Sequence, residues 1–150
     1  MGTHYTGTAE EILSLSTYIK LLRATESTKG RIECHQTVGD LTGAQFGTLD
    51  ALYHLGPLHQ QAIGEKLLVS KSNVVAVIDK LERRGLVRRQ RDEADRRRVF
   101  VHLTDNGRAL FEELLPGHVA AIAKELSCLT DVEQRELGRL CRKLGLNEPE

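Results

Sequence analysis

A single short helix constrains the fold of this 150-residue chain more than any other feature of its sequence. Val74, Ile78 and Leu81 recur at the i, i+4, i+7 spacing that puts apolar side chains on one face of an α-helix. The opposite face carries Ser72, Val75, Ala76, Asp79 and Arg83. Its N-terminal end is small and nearly uncharged, whereas a solvated helix face usually carries Glu and Lys. The pattern therefore predicts a helix with one face in a core and the other free to approach a second surface closely.

Both ends of this helix are marked in the sequence. Ser70 can accept a hydrogen bond from a free backbone N–H of the first turn, as an N-cap residue does. Gly85 stands where a helix commonly ends with a residue in left-handed conformation. We therefore expect the helix to span about residues 71–84. Its N-terminus, with free N–H groups and the positive end of the helix dipole, suits a phosphate group.

A basic β-hairpin is predicted directly after the helix. Its second strand alternates between a face of Val99, Val101 and Leu103 and a face of Arg98, Phe100 and His102. Residues 80–98 hold nine Lys or Arg and four Asp or Glu, a net charge of +5, although the whole chain has a net charge of zero. Such a segregated patch attracts phosphates to one place. With a first helix predicted over residues 58–68, the order helix, turn, helix, hairpin is the outline of a winged helix-turn-helix that binds double-stranded DNA.

Further helices are predicted on both sides of this unit. An apolar repeat indicates a helix over about residues 9–37, and a capping box at Thr42 begins the next one. After the hairpin, Thr104 should cap a long helix that Pro116 kinks or splits. Another capping box, at Thr130, begins the last helix. The expected fold class is mainly α with a small β-hairpin wing.

The apolar stripes of the terminal helices exceed what a small winged domain can cover. One such stripe consists of Leu137, Leu140, Cys141 and Leu144. The helices could fold back on their own domain, but that arrangement leaves much apolar surface exposed, so a second copy of the chain is the simpler partner. We expect one domain over residues 1–150, in which about 9–37 and 105–146 are dimerisation helices and about 42–103 are the winged DNA-binding part.

Three segments are similar to successive signatures of the MarR (multiple antibiotic resistance regulator) family of transcription factors. They are LTGAQFGTL, QQAIGEKLLVSKSNVVAVIDKLERRGLV and DEADRRRVFVHLTDNGRAL. The most specific part is the hairpin signature, Asp95-x-Arg97 leading into Val-x-Val-x-Leu-Thr-x-x-Gly. The resemblance covers nearly the whole chain. It implies an obligate homodimer with intertwined terminal helices, whose two winged domains bind a pseudo-palindromic operator. Such proteins usually repress nearby genes until a small ligand or an oxidant intervenes.

The helix geometry and the resemblance together name the expected DNA contacts. The family places the residue corresponding to Arg97 in the minor groove. Asp95 lies two residues away in an extended or turning segment, so its carboxylate is expected to pair with Arg97 and aim it. Arg96 and Arg98 suit either phosphate contacts or an ordinary charged surface. The expected DNA-binding residues are Ser70, Lys71, Ser72, Asn73, Val75, Ala76, Asp95, Arg96 and Arg97.

Two positions depart from the family's pattern. Val75 and Ala76 stand where the family commonly has a Thr-Arg pair, which removes a phosphate or base donor and substitutes apolar atoms suited to a thymine methyl group. His59 stands where the first helix of the pair usually follows a Ser or Thr cap. Neither departure changes the expected fold, and both concern the family's usual base contacts.

The three cysteines, Cys34, Cys128 and Cys141, share no short metal-ligand spacing, and their odd number argues against a disulfide framework. A reducing cytoplasm is therefore the expected location. Cys34, next to Arg31 and His35, is the candidate redox residue. In the hydroperoxide-sensing branch of the family the reactive cysteine lies earlier, near Ile19 of this chain, so an ordinary helix cysteine is the favoured interpretation of Cys34. Cys141 lies on an apolar stripe and is expected to be packed.

Other classes of function find less support in the sequence. No run is long and apolar enough to predict a membrane span. The absence of a Gly-rich phosphate loop and of a nucleophile elbow argues against an enzyme, and no cofactor or metal is expected. A winged helix that binds protein instead of DNA is disfavoured by the +5 patch. Within the regulator class, three hypotheses stay open: release by a small ligand, oxidation of a thiol, and neither.

Overall fold

The computed structural model describes residues 4–67 and 71–147, apart from the side chains of residues 71 and 72. The described residues divide into two compact units. The winged unit comprises residues 36–67 and 71–118, and the terminal-helix unit comprises residues 4–35 and 119–147. Helix α5, defined below, contributes its first part to the winged unit and its last part to the terminal-helix unit.

The elements follow one another in the order α1 (Ala9–Cys34), α2 (Gly43–Leu55), β1 (Leu58–His59), α3 (Gln60–Leu67), α4 (Lys71–Arg83), β2 (Val87–Arg91), β3 (Val99–Leu103), α5 (Asp105–Leu126) and α6 (Asp131–Leu146). The strands form one antiparallel sheet in the order β1-β3-β2. The predicted fold class, mainly α with a small β wing, is confirmed.

The apolar stripe of α4 is buried as predicted. Val74 is 3% exposed, and Ile78 and Leu81 are 0% exposed. They belong to the core of the winged unit, together with Leu49 of α2 and Phe111 of α5. Burying one such side chain fully contributes roughly 1.5–3 kcal/mol, so the stripe holds α4 in a fixed rotation about its own axis.

The end of α4 also follows the prediction. Gly85 has φ 69°, the left-handed conformation expected there. The N–H of Leu86 donates to the carbonyl of Leu81 at 3.0 Å, and the N–H of Gly85 donates to the carbonyl of Glu82 at 2.9 Å. These two bonds form a Schellman motif, which satisfies the last carbonyls of the helix. The predicted N-cap, Ser70, lies outside the described residues.

The helix predicted over residues 58–68 is wrong at its start, because the chain forms strand β1 before α3 begins. Strand β1 pairs with β3 in the register Leu58–Val101 and His59–Phe100. A hairpin of β2 and β3 alone would leave the outer backbone groups of β3 unpaired, and β1 supplies partners for them. Gly56, at φ 76°, and Pro57 redirect the chain from α2 into this strand. The predicted two-stranded hairpin is therefore part of a three-stranded sheet.

Two other boundaries differ from the predictions. Helix α1 ends at Cys34, before the predicted limit near residue 37, because Gln36 adopts a left-handed conformation at φ 50°. The predicted split at Pro116 does not occur, and α5 is continuous through it. Loss of one backbone hydrogen bond is tolerated there, since Leu114 and Leu115 pack against the core. The capping boxes at Thr42 and Thr130 are present as predicted.

The terminal-helix unit leaves apolar side chains uncovered in a single chain. No residue of α1 or α6 is buried, and Leu13, Val132 and Leu144 are 68%, 75% and 62% exposed. The expectation that Cys141 is packed is wrong for the single chain, because its stripe has no cover and the thiol is exposed. Among the described residues, no helix has the length and hydropathy needed to cross a membrane.

A tight junction joins the wing to α5. The hydroxyl of Thr104 donates to the carbonyl of Gly85 at 2.6 Å and accepts the N–H of Gly107 at 3.0 Å. The N–H of Thr104 donates to the carbonyl of Leu86 at 3.1 Å. A Cβ atom at Gly107 would overlap that same carbonyl oxygen. The glycine of the Thr-x-x-Gly signature is therefore required because the backbone of Leu86 lies very close to it.

We therefore predict that Gly107→Ala lowers the free energy of unfolding by about 2 kcal/mol, since backbone atoms must shift to admit the methyl group. Gly117→Ala is the matched control on the same helix, because an added Cβ there meets no atom within 4 Å. It should stabilise the helix by roughly 0.5 kcal/mol. Urea unfolding followed by circular dichroism measures both changes. A Gly107→Ala variant as stable as the wild type would contradict the packing described for this junction.

Candidate nucleic-acid interface

The outer face of α4 is exposed and only weakly charged toward its N-terminus. Val75 is 40% exposed, and Asn73 and Ala76 are exposed as well. These positions point away from the core because they lie on the other side of the helix from the buried stripe. Of the other expected contacts, residues 71 and 72 are the first two of α4 and their side chains are not described, while residue 70 lies outside the described residues.

The tip of the wing is organised by two aspartates. The N–H of Ala94 donates to Asp92 Oδ1 at 2.8 Å, and the N–H of Arg98 donates to the carbonyl of Asp95 at 2.8 Å. Asp95 Oδ1 accepts the backbone N–H of Arg97 at 3.0 Å and lies 3.4 Å from Arg97 Nε. The Arg97 side chain is 93% exposed. The expected pairing of Asp95 with Arg97 is therefore present, and it leaves most of the guanidinium accessible.

Only part of the +5 patch is available to an anion. The guanidinium of Arg84 pairs with Asp40 at 3.0 Å, and that of Arg88 donates to Gln90 Oε1 at 3.2 Å. Within the part of the chain that the structure describes, the exposed basic side chains of this patch that make no ion pair or hydrogen bond are Lys80 on α4 and Arg91, Arg96 and Arg98 in the hairpin. These three arginines, with Arg97, form the accessible cationic surface of the wing.

His102 of β3 adds little charge to this surface. Burial lowers the pKa of its imidazole, and the nearby guanidinium of Arg88, its cross-strand neighbour, lowers the pKa further. Both effects favour the neutral ring at neutral pH. Arginines, whose charge does not change with pH in this range, therefore carry the positive potential of the wing.

Strand β1, which completes the three-stranded sheet, packs against the base of the wing. The ring of His59 stacks on Phe100, with ring centroids 3.8 Å apart, and His59 Nε2 lies 3.9 Å from Asp92 Oδ2. His59 Nδ1 is buried and has no hydrogen-bond partner among the described residues. His59, predicted from the sequence to occupy the cap position of a helix, thus belongs to β1 and packs beneath the hairpin tip.

The sequence predicted Arg89 only as one member of the +5 patch of residues 80–98, and its contacts with α3 and α4 were not predicted. Its side chain is 23% exposed and reaches Asp79 and Glu82 of α4 as well as Gln60 of α3. A signal was present in the sequence, because residues 87 and 89 point to the same face of a strand. Val87 is buried, so Arg89 also faces inward, toward α4.

Cys34 lies exposed at the end of α1. The two nearby groups that could stabilise a thiolate are both held by Glu125, whose carboxylate is 2.5 Å from Arg31 Nε and 3.3 Å from His35 Nε2. The hydrogen bond from Arg31, followed by that from His35, lowers the pKa of the Glu125 carboxyl. This geometry favours an ordinary helix cysteine. The described residues contain no group of three or more His, Cys, Asp or Glu side chains that could hold a metal ion.

Comparisons with known proteins agree with this geometry. Residues 39–98 match the model of the MarR family. The chain is 33% identical over 134 residues to the HTH-type transcriptional regulator MhqR of Bacillus subtilis, covering 89% of this chain and 92% of that protein. It is 42% identical over 103 residues to the HTH-type regulator YkoM of the same organism, covering 69% and 67%.

Solved structures give the same picture. The ligand-regulated DNA-binding protein BpsR of Bordetella bronchiseptica, studied with 6-hydroxynicotinic acid, is 32% identical with a TM-score of 0.78, covering 87% of this chain and 98% of BpsR. Sco3205, a MarR family regulator from Streptomyces coelicolor crystallised with DNA, is 25% identical with a TM-score of 0.80, covering 99% and 94%. The chain therefore belongs to the MarR family of helix-turn-helix transcriptional regulators.

Proposed function

We propose that this protein is a homodimeric repressor that binds a pseudo-palindromic operator through α4 and the wing. The observation that carries the proposal is the pairing, within one compact unit, of an exposed apolar helix face with a cationic hairpin tip. The helix face is suited to base edges in the major groove, and the tip is suited to phosphates or the minor groove. The Sco3205 structure, in which a relative of the same fold is bound to DNA, supports this arrangement.

The proposed contacts have different roles. The residues that precede and begin α4, Ser70, Lys71, Ser72 and Asn73, contact the phosphate backbone, where free N–H groups and the helix dipole favour an anion. Val75 and Ala76 lie against base edges, where their methyl groups suit thymine. In the wing, Arg97 enters the minor groove and Arg96 neutralises phosphates. The negative potential of a narrow minor groove favours an inserted arginine.

The second chain of the dimer covers the apolar faces of α1 and α6. Exposed fractions of 38% at Ile12, 46% at Leu22 and 47% at Leu140 are high for large apolar side chains in a monomeric protein. A two-fold symmetric partner buries identical patches on both chains. Two winged units related by the same symmetry match the two half-sites of an inverted repeat.

Release by a small molecule is the proposed regulation. BpsR, whose DNA binding is regulated by 6-hydroxynicotinic acid, is similar over most of this chain and supports a ligand mechanism. The thiol alternative at Cys34 finds less support, since Arg31 and His35 are both engaged by Glu125. We further propose that the protein acts in the cytoplasm, where its DNA target is located.

We predict that Ala76→Glu abolishes operator binding in a gel-shift titration, because it places a carboxylate between α4 and the phosphates. The melting temperature and the dimer should change little, since the position is exposed. Ala109→Glu is the matched control, an exposed helical alanine of the winged unit outside the proposed interface, and it should bind as the wild type does. Undiminished binding by Ala76→Glu would show that this face of α4 does not contact DNA.

The role of the Asp95–Arg97 pair can be tested by whether Asp95→Ala raises or lowers the affinity for DNA. If Asp95 were only a repulsive surface acid, Asp95→Ala would tighten DNA binding. We predict weaker binding, about as weak as that of Arg97→Ala, because the carboxylate orients the guanidinium.

The double variant should then bind only slightly less well than either single variant, since the two residues act as a unit. Arg97→Ala should also reduce the slope of log K against log salt by about one phosphate equivalent. Fluorescence anisotropy at matched salt measures all three variants. Tighter binding by Asp95→Ala would refute the orienting role.

A further inference from the structure

We propose that Arg89 is a positioning residue that neutralises two acidic side chains of α4 and fixes the wing strand β2 to that helix. The inference rests on the proposed function, since it concerns how α4 is presented to DNA. It gives Arg89 a role different from that of the other arginines of the hairpin. Arg91, Arg96, Arg97 and Arg98 are available to phosphates, whereas Arg89 acts on DNA only through its neighbours.

The contacts of Arg89 use most of its donors. Its Nη1 lies 2.6 Å from Asp79 Oδ1 and 3.4 Å from Glu82 Oε1. Its Nε donates to Gln60 Oε1 at 3.0 Å, and its Nη2 donates to the carbonyl of Val75 at 3.4 Å. The backbone N–H of Arg89 donates to Glu82 Oε2 at 2.7 Å. Only a planar guanidinium presents donors in the fork that these acceptors require.

The position of the two acids makes their neutralisation necessary. Asp79 lies three residues after Ala76 and four after Val75, so it shares the outer side of α4 with the residues proposed to contact bases. The side chains of Asp79 and Glu82 are 43% and 41% exposed. Two uncompensated carboxylates there would repel the phosphates on either side of the groove. Arg89 supplies the opposite charge at close range.

The same contacts have a mechanical consequence. Gln60 belongs to α3, Val75 and the two acids belong to α4, and Arg89 belongs to β2. One side chain therefore joins both helices of the helix-turn-helix to the strand that carries the wing. This linkage sets the distance between α4 and the arginines at the tip, which must reach different parts of the DNA surface at the same time.

A direct phosphate contact by Arg89 is the competing interpretation, and the structure disfavours it. The side chain is 23% exposed, against 93% for Arg97, and its donors already have acceptors within the protein. If Arg89 bound phosphate directly, removal of Asp79 and Glu82 would help Arg89→Gln no more than it helps a variant of another hairpin arginine. If Arg89 neutralises these two acids, their removal restores the affinity of Arg89→Gln specifically. The two roles can therefore be separated by measurement.

The experiment compares Arg89→Gln with the triple variant Arg89→Gln/Asp79→Asn/Glu82→Gln, using the full-length protein and a duplex selected for binding to the wild type. We expect Arg89→Gln to weaken binding by at least about tenfold. The triple variant should recover to within about threefold of the wild type, because the exposed carboxylates are gone. In the triple variant, Glu82→Gln keeps a side-chain oxygen that can accept a hydrogen bond from the backbone N–H of residue 89.

Arg91→Gln is the matched control on the same strand, since Arg91 is exposed and makes no ion pair among the described residues. It should reduce the salt slope by about one, and the Asp79→Asn/Glu82→Gln pair should not rescue it. If Arg89→Gln does not fold, Arg89→Lys replaces it. Lysine keeps the charge but cannot hold both carboxylates and Gln60 together. We therefore expect an intermediate loss of DNA affinity in Arg89→Lys, and we expect Asp79→Asn to restore that affinity.

Failure of the acid substitutions to rescue Arg89→Gln, or an equal recovery of Arg91→Gln by the same substitutions, would overturn the positioning role. Either result would leave the proposed function intact, because the wild type would still bind its duplex. A wild type that binds no duplex at any salt concentration would instead overturn the proposed function. The two failures are therefore distinguishable within one set of titrations.

Discussion

The winged unit depends on the burial of one stripe of α4. Val74, Ile78 and Leu81 pack into a core shared with α2, α3 and α5, and this packing determines which side of α4 remains outside. The side left outside carries Val75 and Ala76, so the same helical periodicity that builds the core also builds the surface proposed to contact base edges. The Schellman motif at Gly85 and the close approach at Gly107 then direct the chain into the wing and into α5.

The positive charge that the winged unit presents depends on ion pairs within the protein as well as on the number of basic residues. The formal net charge of the chain is zero, and several arginines of the +5 patch form ion pairs with acidic side chains in the folded protein. Arg84 is paired with Asp40, and Arg89 is paired with Asp79 and Glu82. The exposed arginines Arg91, Arg96, Arg97 and Arg98 lie toward the hairpin tip, and Lys80 and Arg83 are exposed on α4. A count of basic residues along the sequence therefore overstates the number of phosphate contacts that the hairpin can make.

Local signals in the sequence predicted the features that local interactions determine. The stripe of α4, its end at Gly85, and the capping boxes at Thr42 and Thr130 each depend on residues within a few positions of one another. Strand β1 was not predictable in this way, because its two residues pair with β3, about forty positions later, and carry no strand pattern of their own. Arg89 lies between these cases, since strand alternation indicates the direction of its side chain but not its partners.

The most direct test of this account is a selection of bound duplexes from a random library, followed by footprinting and by the mass of the complex in solution. The account predicts an enriched inverted repeat with half-sites centred about 10 bp apart, protected on both halves. It also predicts two chains in each complex. Protection of a single half-site by one chain, or no enrichment of any sequence over the starting library, would contradict the claim that this chain is a dimeric, sequence-specific DNA-binding regulator.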